Sequence, residues 1–222
     1  MKRAFIFLNG NYSSIKTRLS SIKKDALIIC ADGGAQLALD NDISPDIVIG
    51  DLDSITDDIK EKLKILKVKF IRYPSEKDFA DGELAIDYVL SKGYKDLIIF
   101  GVLGDRLDHL FSNLVQYSMV AKKAKIRVIE NDTIYYFIYD DITINGSIGD
   151  EVSLIPIHTD IEEVKTTNLK YVLNNETLFL GSTRGISNVM KSKTAKISIK
   201  KGPMLVAHKS NKKVWGSKDV YF

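Results

Sequence analysis

Two aspartates follow an apolar run at a spacing that suits a metal site. The run Ile47–Gly50 is followed by Asp51 and Asp53, which are separated by one residue. Alternate residues of an extended chain point to the same side, so the two carboxylates can converge. Converging carboxylates repel each other unless a cation lies between them, and Mg²⁺ prefers such hard oxygen ligands. A solvated acidic turn is the alternative, since Asp57 and Asp58 follow.

A second acidic segment follows the predicted strand 68–72 and contains Lys77, Asp78 and Asp81. Ligands bind at the carboxyl ends of strands in open α/β sheets. Asp81 can therefore complete a metal site with the first pair, and Lys77 can neutralise phosphate. Asp78 can equally cap the helix predicted to begin there, because its carboxylate can accept unpaired N–H groups.

Two glycine-containing segments also join a strand to a helix. One has Asp32 and Gly33 after the predicted strand 26–30, and the other spans residues 101–109. Free backbone N–H groups at the start of a helix attract phosphate, and a guanidinium group can bind phosphate through two parallel hydrogen bonds. The polar residues of the second segment are Asp105, Arg106, Asp108 and His109. For the last two, helix capping competes with a ligand role.

These segments follow short apolar runs that predict strands. Six runs in the first half are typical of parallel strands covered on both faces, namely residues 4–8, 26–30, 46–49, 68–72, 97–100 and 126–129. Helical patterns alternate with them, which predicts an α/β domain with a mostly parallel sheet. The clearest helical pattern, residues 106–122, has an apolar stripe that we expect to be buried: Leu107, Leu110, Phe111, Leu114, Val115 and Met119.

The second half has a different pattern. Its apolar runs are short and separated by turn residues, which predicts an all-β sandwich; they span residues 134–139, 142–144, 151–157, 162–166, 177–180, 195–199 and 204–208. We therefore expect an α/β domain over residues 1–124 and a β-sandwich domain over residues 125–222.

Composition narrows the function further. Among 222 residues, 32 basic and 29 acidic side chains leave a net charge of +3, which argues against nucleic-acid binding. No apolar run reaches the roughly 20 residues of a membrane helix. The single cysteine, Cys30, lies in an apolar run and is expected to be a buried structural thiol. His158 and His208 are expected to be structural or exposed. A cytoplasmic protein that binds neither nucleic acid nor membranes is the expectation.

Taken in order, these segments resemble the thiamine pyrophosphokinase family. The resemblance covers nearly the whole chain, and although each segment is weak alone, together they are specific. The segments are Asp32-Gly33-Gly34, Gly50-Asp51-Leu52-Asp53-Ser54, Lys77-Asp78 with Asp81, Gly101-x-x-Gly104 with Arg106-x-Asp108-His109, Val152-Ser153-Leu154-Ile155-Pro156, Asn168-Leu169-Lys170-Tyr171, and Gly181-Ser182-Thr183 with Ile186-Ser187-Asn188.

The resemblance implies a thiamine diphosphokinase that transfers the pyrophosphoryl group of Mg-ATP to thiamine and releases AMP. It also implies a homodimer, with thiamine bound in a cleft at the subunit interface by the β-sandwich domain. By position in this sequence, the Mg²⁺ and catalytic residues would be Asp51, Asp53 and Asp81. The nucleotide or phosphate residues would be Asp32, Gly33, Lys77, Arg106, Asp108 and His109. Ser187 and Asn188 would contact the thiamine ring, and Asp78 or Asp81 would accept the proton of the thiamine hydroxyl.

Three residues depart from the family pattern. Ala80 stands where threonine is common, Asp105 where a glycine often precedes the arginine, and Val189 where an acidic residue is common. The carboxylate core survives all three, so we expect them to alter affinity and fine geometry more than the reaction.

Two alternative functions remain open. A phosphatase of the haloacid-dehalogenase type also has an apolar strand followed by Asp-x-Asp, and Asp51 would then be a nucleophile. That motif normally ends the first strand, however, and here it follows the third. The other alternative is a non-catalytic thiamine-binding protein on the same fold, which turnover would distinguish from an enzyme.

Overall fold

The structure is a computed structural model that describes residues 1–10, 26–74 and 79–211. Its contacts divide the chain into two compact units. Unit 1 comprises Met1–Asn113 and Val128–Asn131, and unit 2 comprises Leu114–Arg127 and the residues from Asp132 onward. The division of the chain into domains after residue 124 stays a prediction.

Unit 1 is built on a parallel sheet. Its strands are β1 (Arg3–Phe7), β2 (Ala26–Ala31), β3 (Ile47–Gly50), β4 (Lys69–Arg72), β5 (Asp96–Phe100) and β6 (Lys125–Glu130, which ends in this unit). They lie in the order β4-β3-β2-β1-β5-β6, and the pairs within β4-β3-β2-β1-β5 are parallel. The predicted mostly parallel sheet is confirmed, and all six strands overlap the apolar runs that predicted them.

Helices connect these strands, as the alternating pattern predicted. They are α1 (Gly34–Asp40), α2 (Asp57–Ile65), α3 (Asp81–Ser91) and α4 (Leu107–Val120). The strands bury their apolar side chains, so Phe5, Val48 and Ile98 belong to one core. Cys30 lies in the same core, and burial raises the pKa of its thiol, which confirms a structural role. Within the described ranges, no helix has both the length and the apolar character needed to cross a membrane.

The apolar stripe of α4 is not buried, and that prediction was wrong. Leu107 is 77% exposed and Phe111 is 67% exposed, whereas the buried residues of the helix are Tyr117 and Ser118. Helical periodicity identifies an apolar face but does not say what covers it. No described residue of this chain buries Leu107 or Phe111, so the helix presents large apolar side chains to its surroundings.

Unit 2 contains two antiparallel sheets. Its strands are β7 (Thr133–Ile138), β8 (Ile142–Asn145), β9 (Glu151–Pro156), β10 (Ile161–Thr167), β11 (Asn174–Leu178), β12 (Asn188–Val189), β13 (Thr194–Ser198) and β14 (Met204–Lys209). The strands β12-β9-β14-β7 are neighbours in this order within one sheet, and the other sheet has the order β11-β10-β13-β8. Buried residues of both sheets form one core, which includes Leu154 and Val206 from the first and Val164 and Ile197 from the second. The predicted β-sandwich is confirmed.

A buried polar pair lies in the core of unit 2. His208 on β14 is fully buried, and its Nε2 atom lies 2.9 Å from Oδ2 of Asp150. Burial lowers the pKa of His208 because it disfavours the charged imidazolium, so the neutral ring donates its Nε2–H to the carboxylate. Asp150 also accepts the backbone N–H groups of Ser147 and Asn211. The expectation that this histidine is structural is confirmed.

The other histidine of unit 2 lies at the surface. His158 is exposed, and its Nε2 atom lies 2.6 Å from the hydroxyl oxygen of Ser118 on α4. That hydroxyl group donates its own proton to the carbonyl oxygen of Val115, so the imidazole is the donor to Ser118. The expected structural or exposed role is confirmed.

Candidate active site

The carboxyl ends of β2 and β3 bring two aspartates together. Asp32 follows β2 with a φ of 44°, and its N–H donates to the carbonyl oxygen of Ile49 on β3, at 2.8 Å. This bond extends the pairing of the two strands by one residue. Asp32 is therefore held beside the end of β3, where Gly50 and Asp51 follow.

Gly50 provides the space in which the carboxylates meet. Its φ of 144° lies in the region that favours glycine. A Cβ atom at this position would lie 2.9 Å from Oδ1 of Asp81 and 3.1 Å from Cβ of Asp32. Asp32 and Asp81 can therefore approach this close only because residue 50 has no side chain.

Three carboxylates converge at this point, and we call them the aspartate cluster: Asp32, Asp51 and Asp81. One ligand oxygen from each lies within 4.8 Å of the others. Asp32 is only 8% exposed, and its Oδ1 has no hydrogen-bond partner among the described residues. A buried carboxylate oxygen without a partner is costly unless a cation binds it. The oxygen donors and their spacing suit Mg²⁺, so the cluster fits a divalent cation.

The cluster differs from the predicted metal ligands in one member. Asp53 is exposed and lies outside the cluster, and its backbone N–H donates to Oδ1 of Asp51 at 3.1 Å. Leu52 between them is buried with a φ of 68°, so the chain turns sharply here. The direct ligand role of Asp53 stays a prediction. Asp32, which was predicted to bind the nucleotide, is the third member of the cluster in place of Asp53. The Asp-Gly-Gly sequence after β2 was the feature of the sequence that pointed to this residue.

Asp81 is the first residue of α3, and the preceding residue is one of the departures from the family pattern. Ala80 occupies the N-cap position with extended geometry and offers no side-chain cap. The predicted phosphate and proton-acceptor residues Lys77 and Asp78 lie outside the described residues.

This missing cap gives a prediction for Ala80→Thr. The threonine hydroxyl can accept a free N–H group of the first helical turn, so we expect about 1 kcal/mol of added stability. In a chain of this size, the gain corresponds to a Tm rise of about 2–4 °C. Thermal unfolding is the measurement, and Ala80→Val is the matched control because valine has the same shape without the hydroxyl. Equal stabilisation by valine would contradict the capping argument.

The loops after β1, β2 and β5 pack backbone against backbone. A Cβ atom at Gly10 would lie 2.2 Å from the carbonyl oxygen of Gly101, and one at Gly33 would lie 2.5 Å from the side chain of Asn9. Gly101 has a φ of 70° and lies against the carbonyl oxygen of Leu8. Glycine allows these close approaches, so Gly33 has a packing role alongside its predicted nucleotide role.

The predicted phosphate residues at the start of α4 are open to solvent. Arg106 donates from Nε and Nη2 to the two carboxylate oxygens of Asp108, and both side chains are exposed. The hydrogen bond from Arg106 lowers the pKa of Asp108, so the carboxylate stays charged and holds the guanidinium group. His109 and Asp105 are also exposed. An anion would therefore have to compete with Asp108 for the guanidinium group of Arg106.

The sequence suggested that the N–H groups of the loop after β5 are free to bind a ligand, but two of them are not. Those of Val102 and Leu103 donate to Oε1 of Glu130 at the end of β6. Sequence reasoning missed Glu130, because a single glutamate at the end of an apolar strand carries no motif.

In unit 2, the predicted thiamine residues lie at the start of β12. Ser187 is exposed with a φ of 58°, and its N–H donates to the hydroxyl oxygen of Ser153. Asn188 is only 7% exposed. Its Oδ1 accepts the N–H groups of Tyr171 and Val189, and its Nδ2 donates to the carbonyl oxygen of Tyr171. The amide group of Asn188 thus fixes the backbone, and the hydroxyl of Ser187 is the more accessible polar group.

The hydrogen bonds of Asn188 also fix the backbone of Tyr171, which has an exposed aromatic ring. Sequence reasoning had assigned no role to this ring. The side chain of Tyr171 is 59% exposed, and the ammonium group of Lys170 lies 5.2 Å from its ring centre. The Asn-Leu-Lys-Tyr segment was noted as part of the family pattern, and this was the available signal. An exposed ring fixed through its backbone is suited to stack on a flat ligand.

Comparisons with known proteins identify the family of this chain. A family model described as the thiamin pyrophosphokinase catalytic domain matches residues 19–129, and one described as the thiamin pyrophosphokinase vitamin B1 binding domain matches residues 141–204. The thiamine pyrophosphokinase of Bacillus subtilis is 32% identical over 209 residues, which cover 93% of this chain and 98% of that protein. Thiamine pyrophosphokinase 1 of Arabidopsis thaliana is 30% identical over 74% of this chain and 71% of its own length.

Solved structures give the same result. The crystal structure of the Bacillus subtilis thiamine pyrophosphokinase matches with a TM-score of 0.84 and 30% identity, covering 95% of this chain and 100% of that one. The thiamin pyrophosphokinase of Geobacillus thermodenitrificans matches with a TM-score of 0.79 and 25% identity, covering 95% and 98%. The predicted family is confirmed: this chain belongs to the thiamine pyrophosphokinase family.

Proposed function

We propose that this chain is an ATP-dependent diphosphotransferase that moves the pyrophosphoryl group of Mg-ATP to the hydroxyethyl oxygen of thiamine. The products are thiamine diphosphate and AMP. The observation that carries the proposal is the convergence of Asp32, Asp51 and Asp81 over Gly50, with one buried carboxylate oxygen left without a partner. Family membership supports the choice of substrates.

The aspartate cluster would hold Mg²⁺, and Asp53 is the remaining candidate ligand. When bound, the ion supplies positive charge that offsets the charge of the phosphates. The hydrogen bond from the Asp53 N–H fixes the carboxylate of Asp51, which supports a rigid ligand set. Asp51, Asp53 and Asp81 therefore remain our catalytic residues together with Asp32.

The reaction is an in-line displacement at the β-phosphorus of ATP. The thiamine oxygen forms a bond to this phosphorus, and the bond from the phosphorus to the oxygen that bridges to the α-phosphate breaks. That oxygen leaves as part of AMP. Such transfers need alignment and charge compensation more than covalent help, and alignment can contribute roughly 7–11 kcal/mol. Arg106 and Lys77 would bind phosphate oxygens, beside Asp108 and His109.

The proton of the thiamine hydroxyl needs an acceptor. Asp81 is the candidate that the structure describes, and Asp78 is the other. A carboxylate within hydrogen-bond reach of the hydroxyl group can take its proton as the oxygen attacks.

Thiamine would bind at the start of β12. The exposed hydroxyl of Ser187 would contact the ring, and the ring of Tyr171 would stack on it. The buried amide of Asn188 supports both, since it holds the backbone of Tyr171 and of Val189. The vitamin B1 binding domain family spans all three residues, which supports this placement.

A second copy of this chain would complete the site. Large apolar side chains are exposed on α4 and in unit 2, among them Leu107, Phe111, Tyr171, Val172, Phe179, Leu180 and Ile186. Exposed apolar surface of this kind marks interaction sites. The resemblance to the family favours a homodimer whose interface carries the thiamine cleft.

The dimer gives a prediction for Phe111→Glu. A charge placed in an apolar interface is costly to bury, so we expect a monomer with little activity. Size-exclusion chromatography with light scattering measures the mass. The control is Ile65→Glu, because Ile65 on α2 is 79% exposed and lies outside the proposed surface. A monomeric wild type, or a Phe111→Glu variant that stays dimeric, would count against this interface.

The function itself is tested by incubating the protein with thiamine and Mg-ATP and separating the thiamine species and nucleotides. Thiamine diphosphate with equimolar AMP is the expected result. Thiamine monophosphate with ADP would contradict attack at the β-phosphorus. Hydrolysis of a simple phosphate ester without ATP would favour the phosphatase, and thiamine binding without turnover would favour a binding protein.

The buried free thiol of Cys30 supports a reducing, cytoplasmic setting for the reaction.

A further inference from the structure

Glu130, the last residue of β6, is a buried acid with a specific arrangement of partners. It is 1% exposed, and its Oε1 accepts the N–H groups of Val102 at 2.6 Å and of Leu103 at 3.1 Å. Its Oε2 has no hydrogen-bond partner among the described residues. Burial raises the pKa of Glu130 to about 7, although both N–H bonds oppose the shift. Burying an acid with one oxygen unpaired costs the fold free energy, so a residue of this kind calls for an explanation.

The two N–H groups belong to the loop between β5 and α4. This loop has no regular secondary structure of its own. Gly10 packs against the carbonyl oxygens of Gly101 and Leu103, since a Cβ atom on Gly10 would lie 2.2 Å and 2.3 Å from them. The carbonyl groups of the loop thus face Gly10, and its N–H groups face Glu130. The loop is held from both sides at its first three residues.

The held part of the loop leads directly to the proposed phosphate residues. Arg106 lies three positions after Leu103, and Asp108 and His109 open α4 just beyond. Val102 is itself buried, so without an acceptor its N–H would be left unsatisfied or the loop would have to move toward water. Glu130 thus fixes the backbone from which this segment begins.

We propose that Glu130 is a positioning residue for nucleotide binding, which fixes the loop after β5 so that Arg106 meets the phosphates of ATP. This inference rests on the proposed function, because ATP is the nucleotide of that reaction. Glu130 acts through the N–H groups of Val102 and Leu103 and does not itself contact the substrate.

The test compares Glu130→Leu with Glu130→Gln. Glutamine keeps an oxygen acceptor of the same reach, whereas leucine removes it at similar volume. We expect Glu130→Leu to raise the KM for ATP about tenfold, in line with the loss of hydrogen bonds to a charged group. The KM for thiamine should change less than about twofold, and Glu130→Gln should stay within about threefold of the wild type for both substrates, because its acceptor is retained.

Val128→Ala is the matched control. Val128 lies two residues earlier on β6, points to the same side of the strand and is buried, but its side chain makes no hydrogen bond. Its truncation should lower thermal stability and leave the KM for ATP unchanged. If Glu130→Leu does not fold, Glu130→Asp replaces it, because a side chain shorter by one methylene cannot reach both N–H groups.

A second measurement is independent of turnover. Hydrogen exchange at the amides of Val102 and Leu103 should accelerate in Glu130→Leu but not in Glu130→Gln or Val128→Ala. Equilibrium binding of Mg-ATP, measured without thiamine, should likewise weaken in Glu130→Leu but not in Glu130→Gln or Val128→Ala. A wild type that binds Mg-ATP and makes no thiamine diphosphate would overturn the proposed function, while these two comparisons would still decide the role of Glu130. A folded Glu130→Leu variant with unchanged ATP affinity, or a Glu130→Gln variant as impaired as Glu130→Leu, would overturn the inference.

Discussion

Replacing Asp32 by asparagine is expected to reduce kcat/KM by roughly 10²–10³-fold or more without unfolding the protein. The carboxylate supplies charge at the point where Asp51 and Asp81 converge, and loss of one well-placed electrostatic group has effects of this size. The variant should be at least as stable as the wild type without metal, because it relieves repulsion and a buried charge. Steady-state kinetics and thermal unfolding, each measured with and without Mg²⁺, give the result.

Mg²⁺ should raise the Tm of the wild type, since an ion that binds only the folded state stabilises it. This rise should be smaller in Asp32→Asn, and Asp51→Asn should behave in the same way. The control is Asp58→Asn, an exposed position in the first turn of α2, for which we expect wild-type activity. Retained activity in Asp51→Asn or Asp32→Asn would remove the metal assignment.

Replacing Asp150 by alanine is expected to destabilise the fold by about 3–5 kcal/mol. The carboxylate accepts three hydrogen bonds, from the buried imidazole of His208 and from the backbone N–H groups of Ser147 and Asn211, and hydrogen bonds to a charged group contribute most to stability. In a chain of this length, the loss corresponds to a fall in Tm on the order of 10 °C. Denaturant unfolding and thermal unfolding both measure it.

The control for Asp150→Ala is Asp140→Ala, because Asp140 is an exposed aspartate of the same unit. It should change stability by less than about 0.5 kcal/mol. A small effect of Asp150→Ala would mean that water replaces the carboxylate and that the pair with His208 is not essential to the sandwich.

Much of the fold could be predicted from local sequence patterns. Continuous apolar runs such as Ile47–Gly50 marked the parallel strands, because both faces of those strands are covered. The short apolar run 151–157, bounded by turn residues, marked the strand Glu151–Pro156, whose residues alternate between buried and more exposed. Each of these signals lies within one segment of the chain, which is why a single sequence was sufficient.

Features that depend on distant residues were not predictable in the same way. The place of Asp32 beside Asp51 and Asp81 depends on strand order and on the empty space at Gly50. The exposure of Leu107 depends on what covers α4, and periodicity contains no information about that. Glu130 accepts a hydrogen bond from Val102, which lies 28 positions away in the chain, and no local sequence pattern predicts such a bond.

The backbone contacts around Gly50 also determine how little the site has to change when a ligand arrives. Its carbonyl oxygen accepts the N–H of Tyr73, and the neighbouring carbonyl of Ile49 accepts that of Asp32. Asp32 and Asp51 are thus attached to main chain that the sheet already immobilises, and Asp81 is attached to the first turn of α3. The entropy of assembling the ligand set is lost when the protein folds, so it does not weaken the affinity for the cation. Such preorganisation allows a site with few ligands to bind a cation tightly and to keep the phosphates aligned for reaction.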